Sequence, residues 1–187
     1  MGCEKGMDFY NKVYETEHKY VEDYTKLPYY PVFQVVKGML TDIESPSILE
    51  LGCGTGQFAK MLWDSNFKNY FGVDFSEKAI WIARTVSPQA FEIADIRKYE
   101  ISNEFNTVLL MEVLEHLADD LDVIRRIPDG ANVIMTLPRF DDPGHVRIFK
   151  RKEDVVDRYG SLVRFDELIG YSHWIIAKGV RVGTHDS

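Results

Sequence analysis

From residue 47 the chain alternates short apolar runs with segments whose apolar positions recur every three or four residues. That alternation predicts strands over 47–51, 70–74, 90–94, 106–111 and 131–137. The 106–111 run, Asn-Thr-Val-Leu-Leu-Met, is apolar on both faces, as a central parallel strand must be. Between the strands the pattern predicts helices over 57–65, 77–86 and 115–127, with Ser76 as an N-cap. Strands alternating with helices in this way predict a parallel α/β sheet. After Pro143 the rhythm changes: a helix over 152–159 precedes two strands, 162–169 and 173–182, separated by Gly170-Tyr171-Ser172. So short a link permits an antiparallel hairpin and forbids a parallel crossover, which needs about a dozen residues. Five parallel strands finished by a hairpin are therefore expected.

The first 45 residues differ in being rich in tyrosine (Tyr10, Tyr14, Tyr20, Tyr24, Tyr29, Tyr30). They read as one or two short helices over 9–24 and another over 31–40, with Pro28 and Pro31 breaking the chain between. No repeat or flexible linker intervenes, and 187 residues suit one domain with a real core. A single domain is expected, with 1–45 as a helical cap and 46–187 as the α/β core. Two cysteines, Cys3 and Cys53, are too few for a disulfide framework or a zinc cluster. The charged start lacks an apolar signal region, and no apolar stretch approaches the roughly 20 residues that span a bilayer, so a cytoplasmic chain is expected. A net charge of −8 disfavours a protein that tracks a nucleic-acid backbone. A small-molecule partner is expected instead, with oligomeric state left open.

Glu50-Leu51-Gly52-Cys53-Gly54-Thr55-Gly56 places a glycine-rich turn between a predicted strand and a predicted helix. Glycines let the backbone turn sharply beside a ligand, at the strand ends where open α/β sheets bind them. The glycines at 52, 54 and 56 leave Gln57 where a dinucleotide fingerprint needs glycine, and no Gly-Lys-Ser/Thr of a P-loop follows. A carboxylate at Glu50 would repel a pyrophosphate but suits an ammonium. Asp74 closes the second strand roughly 20 residues on, where an acid can accept ribose hydroxyls. Phe75 can lie against an adenine face, and Asp95 ends the third strand.

At these residues the chain resembles class I methyltransferases. Glu-Leu-Gly-Cys-Gly-Thr-Gly matches that family's first motif, Val73-Asp74-Phe75-Ser76 its second, Ala94-Asp95-Ile96 its third, and the run from Val108 to Leu117 its fourth. The resemblance covers 47–138 and, in outline, the hairpin tail. It implies a Rossmann-like seven-stranded, mostly parallel sheet with a C-terminal antiparallel hairpin and helices on both faces. It also implies S-adenosylmethionine as methyl donor and S-adenosylhomocysteine as product. Glu50, Gly52, Gly54 and Gly56 would lie near the methionine part, Asp74 on ribose, Asp95 on adenine, and Met111 and Glu112 close to the sulfonium, with Cys53, Phe75 and Ile96 as further cofactor-binding candidates. Tyr14 and His116 complete the cofactor-binding candidates.

Methyl transfer from a sulfonium is an in-line displacement that depends on positioning, with a general base when the acceptor is a hydroxyl. No Asn/Asp-Pro-Pro-Tyr/Phe motif follows the fourth strand and no Pro-Cys pair exists, which argues against methylation of nucleic-acid bases. A small molecule is the expected acceptor, oxygen ahead of nitrogen. RNA, protein, or a non-catalytic module that binds S-adenosylmethionine are the alternatives. Among the histidines, His18 and His185 lie toward the termini and His173 starts the last strand. His145, in the loop after the fifth strand, is the candidate base or acceptor-orienting residue. Glu112, Glu115 and His116 are spaced i, i+3, i+4, as if sharing one helical face. That string resembles the divalent-ion site of ubiquinone-pathway O-methyltransferases and small-RNA 2′-O-methyltransferases, with His145 as a fourth ligand. Relatives without metal carry it too, so a divalent metal is the less favoured reading. The N-terminal tyrosines are expected to form a lid that excludes water, or a helical layer on the sheet.

Overall fold

A computed structural model describes residues 2–183, without the side chains of residues 18 and 19; the side chain of His18 and all of His185 thus lie outside the described residues. The chain divides into two compact units, one formed by Lys5–Tyr99 and the other by Glu100–Ser187 with Met1–Glu4.

In the Lys5–Tyr99 unit the order is α1 (Met7–Thr16), two 3-10 turns (His18–Val21 and Tyr24–Lys26), α2 (Tyr30–Thr41), β1 (Ile48–Leu51), α3 (Gln57–Asp64), β2 (Tyr70–Asp74), α4 (Glu77–Val86) and β3 (Ala90–Ile93). Pro31 occupies the first turn of α2, where its missing N–H costs nothing. Ser76 caps α4 as expected, its hydroxyl oxygen accepting from the Ala79 N–H at 3.1 Å. β1, β2 and β3 pair in parallel, with Glu50 opposite Gly72 and Asp74 opposite Ile93. Ile48, Leu49, Leu51, Val73, Leu62, Ile80 and Ala83 are wholly buried and form the centre of this unit's core. The tyrosine-rich segment is tied in by Asn11 of α1, whose Oδ1 accepts the Ser76 hydroxyl at 2.6 Å.

The second unit runs β4 (Thr107–Met111), a 3-10 turn (Leu114–His116), α5 (Asp120–Arg125), β5 (Asn132–Pro138), α6 (Lys152–Tyr159), β6 (Val163–Tyr171) and β7 (Trp174–Arg181). β4 is buried along its whole length and pairs in parallel with β5, while β7 is antiparallel to both β5 and β6. The hairpin is tighter than its composition suggests. β6 continues through Gly170 and Tyr171, Tyr171 pairs with Trp174, and Ser172-His173 alone make the turn, with Ser172 at φ 49°. The seven strands form a mixed sheet in the order β3-β2-β1-β4-β5-β7-β6. Among the described residues no helix is long and apolar enough to cross a membrane.

The continuous helix expected over 115–127 is not formed. Leu114–His116 is a single 3-10 turn, and the α-helix starts only at Asp120. The cause is a side chain from a distant loop: the Arg147 guanidinium donates to the carbonyls of Leu114 and Leu117, and to that of Ala118 at 3.3 Å. Those carbonyls are thereby withdrawn from an α-helical ladder. Arg147 is in turn held by the fully buried Asp120, 3.1 Å away. Asp120 also accepts two hydrogen bonds from Arg158 (2.7 and 2.5 Å) and one from the Tyr159 hydroxyl (2.6 Å).

Removing one partner of a buried ionic network leaves the others uncompensated. Asp120→Ala is therefore expected to cost about 3–5 kcal/mol of stability, read from urea unfolding.

Candidate functional site

The glycine loop of the Lys5–Tyr99 unit is set by backbone geometry. Gly52, Gly54 and Gly56 sit at φ 78°, 53° and 75°, the left-handed region that disfavours side chains. A Cβ on Gly56 would also lie 2.9 Å from that of Ala83. The Gly52 and Cys53 N–H groups both donate to the Val73 carbonyl, at 2.7 and 3.0 Å, stitching the loop to the end of β2. Asp74 completes the stitch: its carboxylate accepts the Gly54 N–H at 2.9 Å and the Ser76 N–H at 2.8 Å. The buried Cys53 thiol is pushed well up by burial and packs within the loop.

Two acids lie buried here. Burial pushes Glu50 up to about 8, the like charge of Asp74 adding to the shift and a hydrogen bond from Tyr70 opposing it. Burial likewise pushes Asp74 up to about 6 against the pull of its backbone donors. Tyr14 joins them from α1. Its hydroxyl is 3.5 Å from where a Gly54 Cβ would stand, its ring meets Tyr20 edge-on at 4.9 Å, and burial and Asp74 raise its phenol. Phe75 is half-buried with Tyr10 against it at 5.5 Å. Asp95 is gripped by Arg97, whose Nε and Nη2 each donate at 2.8 Å, and this holds its carboxyl below the usual range. Ile96 beside it is buried. Arg97 and Tyr70 were missed by spacing; an arginine two residues after a strand-end acid is the signal that points to the first.

In the second unit a separate polar cluster forms. Glu112 follows β4 at φ 55°, with its N–H donating to both the carbonyl and the hydroxyl oxygen of Thr136. Its carboxylate accepts from the Thr136 hydroxyl and from Trp174 Nε1, each at 2.9 Å, and burial pushes it up to about 7. Met111 ahead of it is buried. The shared helical face expected for Glu112, Glu115 and His116 is not formed, because the left-handed turn at Glu112 and the 3-10 turn after it replace the helix. Instead Glu115 and His116 meet His145, with potential ligand atoms of all three within 4.8 Å of one another.

Each histidine in this cluster is fixed by a backbone carbonyl. His116 Nδ1 contacts the Gly144 carbonyl and His145 Nδ1 the Phe140 carbonyl, both at 3.1 Å. A carbonyl can only accept, so each Nδ1 carries the proton and each Nε2 the lone pair in the neutral ring. The rings meet at 4.8 Å, and His116 Nε2 lies 3.6 Å from Glu115 Oε1. Glu115 is fully buried and, among the described residues, neither carboxylate oxygen has a hydrogen-bond partner; burial and the neighbouring Glu112 raise its pKa well above the usual carboxylate range. Burial lowers His116. The Val146 N–H donates to the Glu115 carbonyl at 2.8 Å, and the Gly2 N–H to that of His145 at 2.9 Å, so the loop is held from two sides. His173 lies in the hairpin turn, its ring against Phe140 and Trp174.

The strand order, the glycine loop after β1 and the acid closing β2 define a class I methyltransferase fold, the class whose cofactor is S-adenosylmethionine. Residues 48–129 match the family model described as a methyltransferase domain. A ubiquinone biosynthesis O-methyltransferase of Caulobacter sp. (strain K31) is 33% identical over 111 residues, covering 53% of this chain and 44% of that protein. The chain thus spans less than half the length of this curated relative. The fold is shared with the PH0226 protein of Pyrococcus horikoshii OT3, at TM-score 0.72 and 18% identity over 91% of this chain and 98% of that one. It is shared too with the N-methyltransferase NodS of Bradyrhizobium japonicum WM9, solved with S-adenosyl-L-homocysteine, at TM-score 0.68 and 18% identity over 92% and 98%.

Two outcomes are expected. Gly54→Val, which puts a branched side chain at φ 53°, should abolish S-adenosylhomocysteine binding in calorimetry while circular dichroism stays that of the folded chain. Glu50 holds its proton more tightly folded, at about 8, than at its ordinary 4.5. The folded state therefore binds more protons, and Glu50 contributes a loss of stability as pH rises through that window. Glu50→Gln should flatten the fall in melting temperature between about pH 5 and 8.5.

Proposed function

We propose that this protein transfers the methyl group of S-adenosylmethionine to a hydroxyl oxygen of a small-molecule acceptor. The observation that carries the reading is the cluster of Glu115, His116 and His145. A hydroxyl is a weak nucleophile until its proton leaves, and His145, tied through Nδ1, offers Nε2 to take or orient that proton. The partial likeness to a ubiquinone biosynthesis O-methyltransferase supports oxygen as the acceptor atom and a phenolic or otherwise hydroxylated substrate. On the donor side, Gly52, Cys53, Gly54 and Gly56 hold the methionine part with Tyr14, and Glu50 takes its ammonium. Asp74 takes the ribose, and Phe75 and Asp95 the adenine.

A second reading uses the same cluster as a divalent-ion site. A buried carboxylate with two unpaired oxygens, beside imidazoles whose Nδ1 atoms are oriented by carbonyls, is a suitable donor set for an ion such as Mn²⁺ or Zn²⁺. Glu115, His116 and His145 would hold it, and it would lower the pKa of an acceptor hydroxyl. Incubation with S-adenosylmethionine and a panel of phenols, catechols and amines, followed by S-adenosylhomocysteine, tests the function. Turnover on a hydroxylated acceptor is expected, with His145→Ala lowering kcat by about 10²-fold or more. Turnover confined to amines would overturn the oxygen assignment. Excess chelator leaves the rate intact under the first reading and abolishes it under the second.

A further inference from the structure

Glu50 has a dedicated partner that the cofactor motifs do not include. Its Oε2 accepts a 2.5 Å hydrogen bond from the Tyr70 hydroxyl, and both residues are buried, Glu50 at 3% exposure and Tyr70 at 5%. The path between them exists because residue 72 has no side chain. A Cβ on Gly72 would stand 2.9 Å from the Tyr70 hydroxyl oxygen, 2.9 Å from Cys53 Sγ and 2.8 Å from Phe91 Cδ1. Gly72 is also the residue paired with Glu50 across the sheet. Phe91 meets the Tyr70 ring edge-on at 6.0 Å and fixes its tilt. The phenol is thus held in a slot beside Gly72 and Phe91, with its hydroxyl on the Glu50 carboxyl.

We propose that Tyr70 is a positioning residue for cofactor binding: its hydroxyl holds the Glu50 carboxyl so that this group releases its proton to solvent as the ammonium of S-adenosylmethionine arrives. The proposal rests on the reading of Glu50 as the ammonium's partner. An isolated carboxyl in this buried setting keeps its proton, and the hydrogen bond from Tyr70 favours the charged form. The groups that face Glu50 are Tyr70, Asp74 and Cys53, with Tyr14 facing Asp74. Burial raises the thiol and both phenols, so they keep their protons near neutrality, and Asp74, at about 6, is the other group that titrates in range.

The test is calorimetry in pairs of buffers with different ionisation enthalpies, which counts protons released on binding. Two ligands are compared, S-adenosylhomocysteine and 5′-methylthioadenosine, which lacks the amino-acid part. The ligand's own ammonium is common to every variant and cancels between them. The wild-type chain should release close to one proton per S-adenosylhomocysteine near pH 7, and none with 5′-methylthioadenosine. Tyr70→Phe should move that release to higher pH by about one unit. It should also weaken S-adenosylhomocysteine about tenfold at pH 7, with 5′-methylthioadenosine affinity unchanged. Glu50→Gln should remove the release altogether. A Tyr70→Phe chain whose proton release falls off at the same pH as in the wild-type chain, or one with both ligands weakened alike, would overturn the role of Tyr70. Wild-type affinity and release in Glu50→Gln would instead remove Glu50 from the ammonium, and the reading beneath the proposal with it.

Discussion

The glycine loop depends on one buried carboxylate. Asp74 accepts the N–H of Gly54 on one side and that of Ser76 on the other, at 2.9 and 2.8 Å, and so ties the glycine loop after β1 to the start of α4. The Gly52 and Cys53 N–H groups find their acceptor in the Val73 carbonyl of the neighbouring strand, and the Gly56 N–H finds its own within the loop, in the Cys53 carbonyl at 3.2 Å. That is why three successive left-handed glycines can be held in one conformation. The cost is a carboxyl kept out of water, visible in its upward shift. Backbone donors lower that cost, and a ligand bearing hydroxyls lowers it further by supplying donors of its own.

The second unit is organised by Asp120 in the same way, a buried acid surrounded by donors from distant residues. By anchoring Arg147 it directs a guanidinium onto the carbonyls of Leu114, Leu117 and Ala118, and the chain there turns instead of continuing as a helix. The turn aims Glu115 and His116 at His145, two residues before Arg147. A structural ion network and the candidate chemistry therefore share one loop. The Glu115 carboxyl contrasts with Asp120: both are fully buried, but Asp120 is surrounded by partners and Glu115 has no hydrogen-bond partner among the described residues. A saturated acid reads as structure, and an unsatisfied one as a place where a proton, an ion or a substrate belongs.

Much of the fold was legible because it is local. The five parallel strands are apolar runs bounded by turn residues, and the Ser76 cap and the Pro31 helix start lie where their residue types predict. The hairpin followed from a link too short for a crossover, although its turn moved to Ser172-His173. The helix over 115–127 was misread because its periodicity is helical and its obstruction is not nearby: Arg147 lies 33 residues beyond Leu114. Tyr70 escaped notice for a similar reason, since a tyrosine opening a strand is ordinary until the empty space at Gly72 is seen.

The sequence by itself determined the order of elements, the glycine loop and the acids beside it, since backbone conformation, strand periodicity and spacing along a strand are properties of neighbouring residues. Tertiary structure decided which buried acids are satisfied. It separated Glu112, bonded to Thr136 and Trp174, from Glu115, and joined the latter to His116 and His145. It also paired Glu50 with Tyr70. Those outcomes depend on groups brought together from distant positions under desolvation, and burial gives each unmade hydrogen bond its cost.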